Sequence, residues 1–283
     1  MAIRDTSSNA SGRLRASART ARARPVPREG WQGWDAYAAF YDWENARTVG
    51  RRDVRFWRAM VERLGGRVLE LGCGTGRVSV QAARAAQVFA GIDRSAPMLD
   101  RGRLRLRRSR VFRPGVLVRG DIRALPYRRG AFRLVLAPYG IVQSLLSDGD
   151  VDATIADVAA VLEPGGVFGI DLVPDVPQWR EYDRRVTLAG VRGPTGRPLA
   201  LIESVRQDRR RKLTIFDQEF IEGRGPSRVS HRFTLTFRTL SIPEIARRLE
   251  RAGFVVDAVL GSYRGSAWTE RSEAWILLAR RAR

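Results

Sequence analysis

The stretch Val68–Arg77, VLELGCGTGR, decides how this chain is read. A short apolar run carrying an acid, Glu70, leads into three glycines at every second position, Gly72, Gly74 and Gly76. Glycine lets a backbone adopt positive φ and come close to a ligand, so a loop of this composition between a strand and a helix is a ligand-binding candidate. A dinucleotide fingerprint requires Gly-x-Gly-x-x-Gly, and here the last position is Arg77. A phosphate loop requires Gly-Lys-Ser/Thr, which is absent after these glycines. What remains is an acid at a strand end leading into Gly-x-Gly-x-Gly.

Working outward, strand-like and helix-like segments alternate on both sides of the loop. Trp34–Glu44 and Asp53–Gly65 read as helices with aromatic faces, and Val68–Leu71 as a strand. Val78–Ala86 reads as a helix and Val88–Asp93 as a strand. Ser95 reads as a helix cap ahead of a proline-initiated helix through Arg107. Val116–Arg119 and Phe132–Ala137 read as strands, Val151–Leu162 as a helix stopped by Glu163-Pro164-Gly165-Gly166, and Val167–Val173 as a strand. Such alternation predicts a parallel sheet with helices on both faces. From Arg185 to Leu240 the pattern changes to four strand-like segments. Phe233, Leu235 and Phe237 alternate there with Arg232, Thr234 and Thr236, as in antiparallel strands with one solvated face. The α/β pattern resumes at Ser241-Ile-Pro-Glu244, a capping-box signature, and continues through a helix ending near Gly253 and strands over Phe254–Leu260 and Ala274–Ala279.

The glycine loop with its acid resembles the E/D-x-G-x-G-x-G motif of class I S-adenosylmethionine-dependent methyltransferases. Further matches lie downstream at suitable spacing: Gly91-Ile-Asp93, Gly120-Asp121-Ile122, FRLVLAPY over Phe132–Tyr139, and LEPGGVFGID over Leu162–Asp171. APYGIVQSLL and the segment YRGSAWTERSEAWILLARR also look like the broad bacterial group of small-molecule methyltransferases. The resemblance implies a Rossmann-like seven-stranded sheet, six strands parallel and one antiparallel, with an inserted antiparallel β-subdomain. It implies S-adenosyl-L-methionine as cofactor and S-adenosyl-L-homocysteine as product. It also implies cofactor contacts at Glu70, Gly72, Cys73, Gly74, Gly76, Asp93, Arg94, Met98, Asp121, Ile122 and Pro138, with Asp93 on the ribose hydroxyls and Asp121 near the adenine amino group. Purely structural readings stand beside these: the glycines as turn residues, Asp93 as a helix cap, Asp121 as partner of a loop amide, and Cys73 as a small buried filler.

Methyl transfer from a sulfonium is a single displacement, so alignment carries much of the catalysis, and a base is needed only where the acceptor must lose a proton. The candidates for such a base are Tyr139 and His231, the latter because imidazole exchanges a proton near neutrality. Tyr37, Tyr41 and Tyr139, with Trp34, are candidates for a substrate pocket, and plain core packing is their alternative. Ala137-Pro138-Tyr139-Gly140 lacks the Asn/Asp-Pro-Pro-Tyr/Phe sequence that goes with base amino methylation in this superfamily. An insertion leaving the carboxyl end of the fifth strand lies where ligands bind in open α/β sheets, so it is expected to roof an acceptor pocket or to form a dimer surface.

The remaining features bound the answer. The division expected is a basic tail over 1–30, N-terminal helices and cofactor core over 31–173, the insertion over 174–240, and completion of the core over 241–283. The tail carries seven arginines against two acids and lacks an apolar secretory region. Its composition reads as disordered and is also compatible with an organelle transit peptide. The formal charge is +21, with Lys212 the one lysine among 51 basic residues. That bias reads as a G+C-rich coding effect; a polyanion-binding face, using the tail and Arg101–Arg113 to hold RNA, is the alternative. A non-catalytic partner protein with this fold is another. One cysteine excludes an intrachain disulfide and a multi-cysteine zinc site. No metal is expected, and no apolar run is long enough for a membrane span. A cytoplasmic monomer or homodimer acting on a small-molecule acceptor is the expectation.

Overall fold

The computed structural model describes residues 29–48, 52–111, 117–173, 181–193 and 196–283. Most of the expected basic tail, with Val116 and part of the expected insertion, lies outside the described residues.

The core sheet is built from β1 (Arg67–Leu71), β2 (Val88–Asp93), β3 (Leu117–Arg119), β4 (Phe132–Ala137), β5 (Leu162–Leu172), β10 (Phe254–Leu260) and β11 (Trp275–Arg281). Their order is β10-β11-β5-β4-β1-β2-β3. Only β11 runs against its neighbours, which gives the expected six parallel strands and one antiparallel. The strands are apolar almost throughout because helices cover both faces. On one face α5 (Asp148–Val161) and α6 (Ile242–Arg251) supply Ile155, Val158, Ile245 and Leu249. On the other, α2 (Arg52–Leu64), α3 (Ser79–Ala85) and α4 (Ala96–Arg108) supply Trp57, Val61, Ala82 and Leu106. Trp57 is fully buried over Gly169, where an added Cβ would lie 2.8 Å from the indole. Helix caps fall where the sequence puts them: Ser95 accepts from the Met98 amide, and Ser241 from the Glu244 amide, both at 3.3 Å.

One expected boundary is corrected. The helix stops as expected, at Val161, but the strand does not wait for Val167, because β5 already begins at Leu162. Phe132 pairs with Leu162 and Leu134 with Val167, so the intervening residues bulge from the strand, with Gly165 at φ 77°. The two N-terminal helices take different places. α2 joins the core layer behind the sheet, whereas α1 (Trp34–Thr48) covers a second sheet.

That second sheet has the order β6-β7-β8-β9, antiparallel throughout, from β6 (Tyr182–Arg192), β7 (Arg197–Asp208), β8 (Leu213–Glu222) and β9 (Val229–Arg238). Its period-2 pattern places Leu199, Leu201, Phe220, Phe233 and Leu235 against Tyr37, Phe40 and Trp43 of α1. Met98 of α4 joins the same cluster, so α1 and its sheet sit over the carboxyl ends of the core strands.

Candidate functional site

The glycine loop takes the shape its composition allows. Gly72, Gly74 and Gly76 have φ of 60°, 50° and 77°. They turn the chain from β1 toward α3 without a side chain in the way. Gly76 points away from solvent onto α4, where an added Cβ would lie 3.2 Å from the Gly102 Cα. At Gly74, by contrast, a Cβ would meet nothing closer than 3.8 Å. The room left there belongs to a cleft of about 290 Å³ outside the carboxyl ends of β1, β2, β3 and β4.

Asp93, at the end of β2, accepts the Gly74 amide on Oδ2 and the Ser95 amide on Oδ1, each at 2.8 Å. Burial raises its carboxyl above the ordinary value, against the pull of these amides. Each oxygen keeps lone-pair capacity toward the cleft, which fits a diol such as a ribose. Glu70 accepts from Ser79 Oγ at 2.6 Å, and burial pushes its carboxyl up to about 8. Asp121, after β3, is gripped by Arg94 at 2.7 Å and Arg123 at 2.8 Å. Burial opposes its charge, yet the Arg123 contacts hold its carboxyl below the ordinary value.

A second set of contacts closes the cleft. Arg94 lies over the Trp31 ring at 4.2 Å, and Arg123 also pairs with Glu29 at 2.9 Å. Gly30 passes so close to the backbone of Ser144 that a Cβ there would overlap its carbonyl. Residues 29–31 therefore form a strap over the Asp121 end. At the other end Arg77 forms a bidentate pair with the fully buried Asp53, both contacts at 2.6 Å, and lies 5.3 Å from the Tyr139 ring. Tyr139 itself has φ 59°, an uncommon conformation for a non-glycine residue that collects at functional sites. The adjoining turn holds it there: the Gly140 amide donates to Asp171 at 2.9 Å, and Tyr263 donates to the same carboxylate at 2.8 Å.

The cleft thus brings together Glu70, Gly72, Cys73, Gly74, Asp93, Arg94, Met98, Asp121, Ile122, Pro138, Tyr41 and Tyr139. Gly76, Tyr37 and His231 are not in its wall. Gly76 serves helix packing, Tyr37 is buried between α1 and the second sheet, and the His231 ring lies tilted against Phe40, 4.9 Å between centroids. Cys73 is buried, which pushes its thiol well up and leaves it no nucleophile. Residues that sequence reasoning did not place here include Trp31, Arg123, Ile141 and Phe237. Arg123, two residues beyond Asp121, had a local signal; Phe237 arrives from the second sheet, and only the expected position of that insertion over the pocket pointed to it. Among the described residues no group of acids, cysteines and histidine is arranged to hold a metal, and no helix is long and apolar enough to cross a membrane.

A family model described as "Methyltransferase domain" matches residues 68–166. The cypemycin N-terminal methyltransferase of a Streptomyces species is 30% identical over 229 residues, covering 80% of this chain and 87% of that protein. The demethylmenaquinone methyltransferase of Corynebacterium kroppenstedtii is 31% identical over 144 residues, 50% of this chain and 58% of that one. Among solved structures, the CcbJ methyltransferase of Streptomyces caelestis superposes with a TM-score of 0.70 at 22% identity, over 88% of this chain and 97% of its own. The amino pentose methyltransferase CalS10 from Micromonospora echinaspora, solved with S-adenosylmethionine bound, gives 0.64 at 21% identity, over 86% and 95%.

Proposed function

The chain belongs to the class I S-adenosylmethionine-dependent methyltransferases, and from that premise we propose that it methylates a small-molecule acceptor held between the core sheet and α1. The observation that carries this reading is the covered cleft. Its wall joins the glycine loop and Asp93 to Trp34, Tyr41, Tyr139 and Phe237, so one cleft offers both a cofactor cradle and an aromatic acceptor wall. A compact acceptor also fits the relative named for an amino pentose.

The residues fit the cofactor. Gly72 and Gly74 would let the backbone approach its methionine portion, Asp93 would hold the ribose hydroxyls, and Asp121 with Ile122 would flank the adenine. The bound cofactor supplies an electrophilic sulfonium methyl. The chain's own contribution is alignment and exclusion of water: α1 and Phe237 roof the cleft, and the Asp171-held turn fixes Tyr139 against Arg77. Division of the chain into a basic tail, a cofactor core over 31–173, a roof over 174–240 and a closing segment over 241–283 belongs to the same proposal.

Calorimetric titration with S-adenosylmethionine and S-adenosylhomocysteine, with NADH as control, tests the cradle. Micromolar binding of the first two is expected, weakened ~10–100-fold in Asp93→Ala, the cost of a charge-assisted hydrogen-bond pair. Unchanged affinity in the variant would sink the assignment of Asp93.

A further inference from the structure

One face of α1 carries Trp34, Tyr37, Tyr41 and Glu44, spaced so that each lies about a turn from the next. The rings are in contact: Trp34 and Tyr37 at 5.4 Å, Tyr37 and Tyr41 at 6.0 Å, Trp34 and Tyr41 at 6.0 Å. Trp34 and Tyr41 line the cleft, and Glu44 lies one turn beyond Tyr41. Its partners come from the sheet and from its own helix. The Tyr37 hydroxyl donates to Glu44 Oε2, and Gln218 Nε2 donates to Glu44 Oε1 at 3.1 Å. The same Nε2 donates to Glu203 Oε2 at 2.8 Å, while the Tyr182 hydroxyl donates to Glu203 Oε1. Two carboxylates on α1 and β7 therefore share one amide, and Gln218 Oε1 is buried without a hydrogen-bond partner.

The charge balance here is the reverse of the chain's. In a sequence with 51 basic and 30 acidic residues, Glu44 and Glu203 are held by two tyrosine hydroxyls and one amide rather than by guanidinium groups. Buried acids are ordinarily paired or neutralised. Burial first, and Glu203 as a further negative neighbour, push the Glu44 carboxyl up to about 7 against the pull of Tyr37 and Gln218. Tyr139, from the loop after β4, also lies within electrostatic reach of Glu44. A cation at the Trp34–Tyr41 end of the cleft would meet aromatic faces, with the Glu44 carboxylate one turn beyond them.

We propose that the methyl acceptor is an amine, and that Glu44 draws its ammonium to the α1 end of the cleft and takes its proton. The inference rests on reading the cleft as the acceptor site. One ammonium proton passes to the Glu44 carboxylate, giving a neutral amine and a carboxylic acid. The nitrogen lone pair then forms the new N–C bond as the methyl C–S bond breaks, with that electron pair going to sulfur. The product is an N-methylammonium ion and neutral S-adenosylhomocysteine, and Glu44 returns its proton to solvent.

The test uses the whole protein saturated with S-adenosylhomocysteine and a matched pair of probes, cyclohexylamine and cyclohexanol, followed by saturation-transfer NMR between pH 5.5 and 8.5. Above pH 7 the amine should bind at least ~10-fold more tightly than the alcohol. The preference should fade as pH falls through about 7, where Glu44 gains its proton. Glu44→Gln, which keeps acceptors for Tyr37, should abolish the preference while its melting midpoint stays near wild type. Glu203→Gln removes the neighbouring charge and should move the midpoint of the pH response to lower pH, a change that a merely structural role would not produce. Equal binding of the two probes, binding of neither, or a preference that survives in Glu44→Gln would overturn the inference. Calorimetry with S-adenosylhomocysteine on the same samples separates the cases: normal cofactor binding without amine preference sinks the amine alone, and absent cofactor binding sinks the cleft.

Discussion

Glu70 shows what a single buried acid does to the pH dependence of the fold. Its carboxyl ordinarily titrates near 4.5 and is pushed to about 8 here, chiefly by burial. A folded-state value above the unfolded one means that the folded chain holds a proton the unfolded chain has lost. The stabilisation is fully present below pH 4.5 and is lost as pH rises through 8. Glu70→Gln keeps a partner for Ser79 and removes the titration. Its melting midpoint should exceed that of wild type by ~5 °C at pH 9, with no such advantage at pH 5. Equal gaps at both pH values would show that Glu70 acts through packing instead. Arg77 illustrates the opposite balance. Burial works against its guanidinium, but the pair with Asp53 outweighs it and keeps the charge in place. The residue that excludes a dinucleotide fingerprint in the sequence is, in the fold, the link between α2 and Tyr139.

Among the elements, α4 shows how closely the cofactor cradle depends on packing outside the cleft. Gly102, at mid-helix, faces the glycine loop, and a Cβ there would lie 2.9 Å from the Gly74 carbonyl oxygen and 2.9 Å from Leu117. Alanine raises helix propensity by ~1 kcal/mol, yet the clash falls on backbone that has no rotamer to change. Gly102→Ala should therefore weaken S-adenosylhomocysteine binding ~10-fold in calorimetry, with the melting midpoint shifted by overpacking costs of ~1–3 kcal/mol. An unchanged affinity would mean that the loop can yield. The same element marks the boundary of what the sequence discloses. The caps at Ser95 and Ser241 and the strand Phe132–Ala137 were legible because each depends on local chemistry. The bulge at Glu163–Gly166 was not, since proline and glycines that end a helix equally well interrupt a strand; pairing with β4 decides between them. In the cleft, the glycine loop, Asp93 and Asp121 were singled out by resemblance to the methyltransferase motifs, and the fold brings them to one cleft. The tying of Asp171 to Gly140, and of Glu44 to Gln218, joins residues 31 and 174 positions apart, and no window of sequence contains both partners.

At the scale of the whole molecule, an excess of 21 positive charges repels itself even though many arginines are paired, as Arg238 and Arg248 are with Asp148 and Glu244. Raising sodium chloride from ~20 to ~300 mM shortens the screening length and should raise the melting midpoint by a few degrees. A fall would mean that the local pairs outweigh the net repulsion. The seat of α1 has a further consequence, one of timing. This helix is made early, but the sheet that covers Tyr37, Phe40 and Trp43 is complete only after β9, and the Glu44–Gln218 bond alone spans 174 residues. At ~5–20 residues per second, that separation amounts to about 9–35 s of synthesis. Through that interval the core strands β1 to β5 can already assemble, while an aromatic helix waits on the nascent chain for a surface that the ribosome has yet to make.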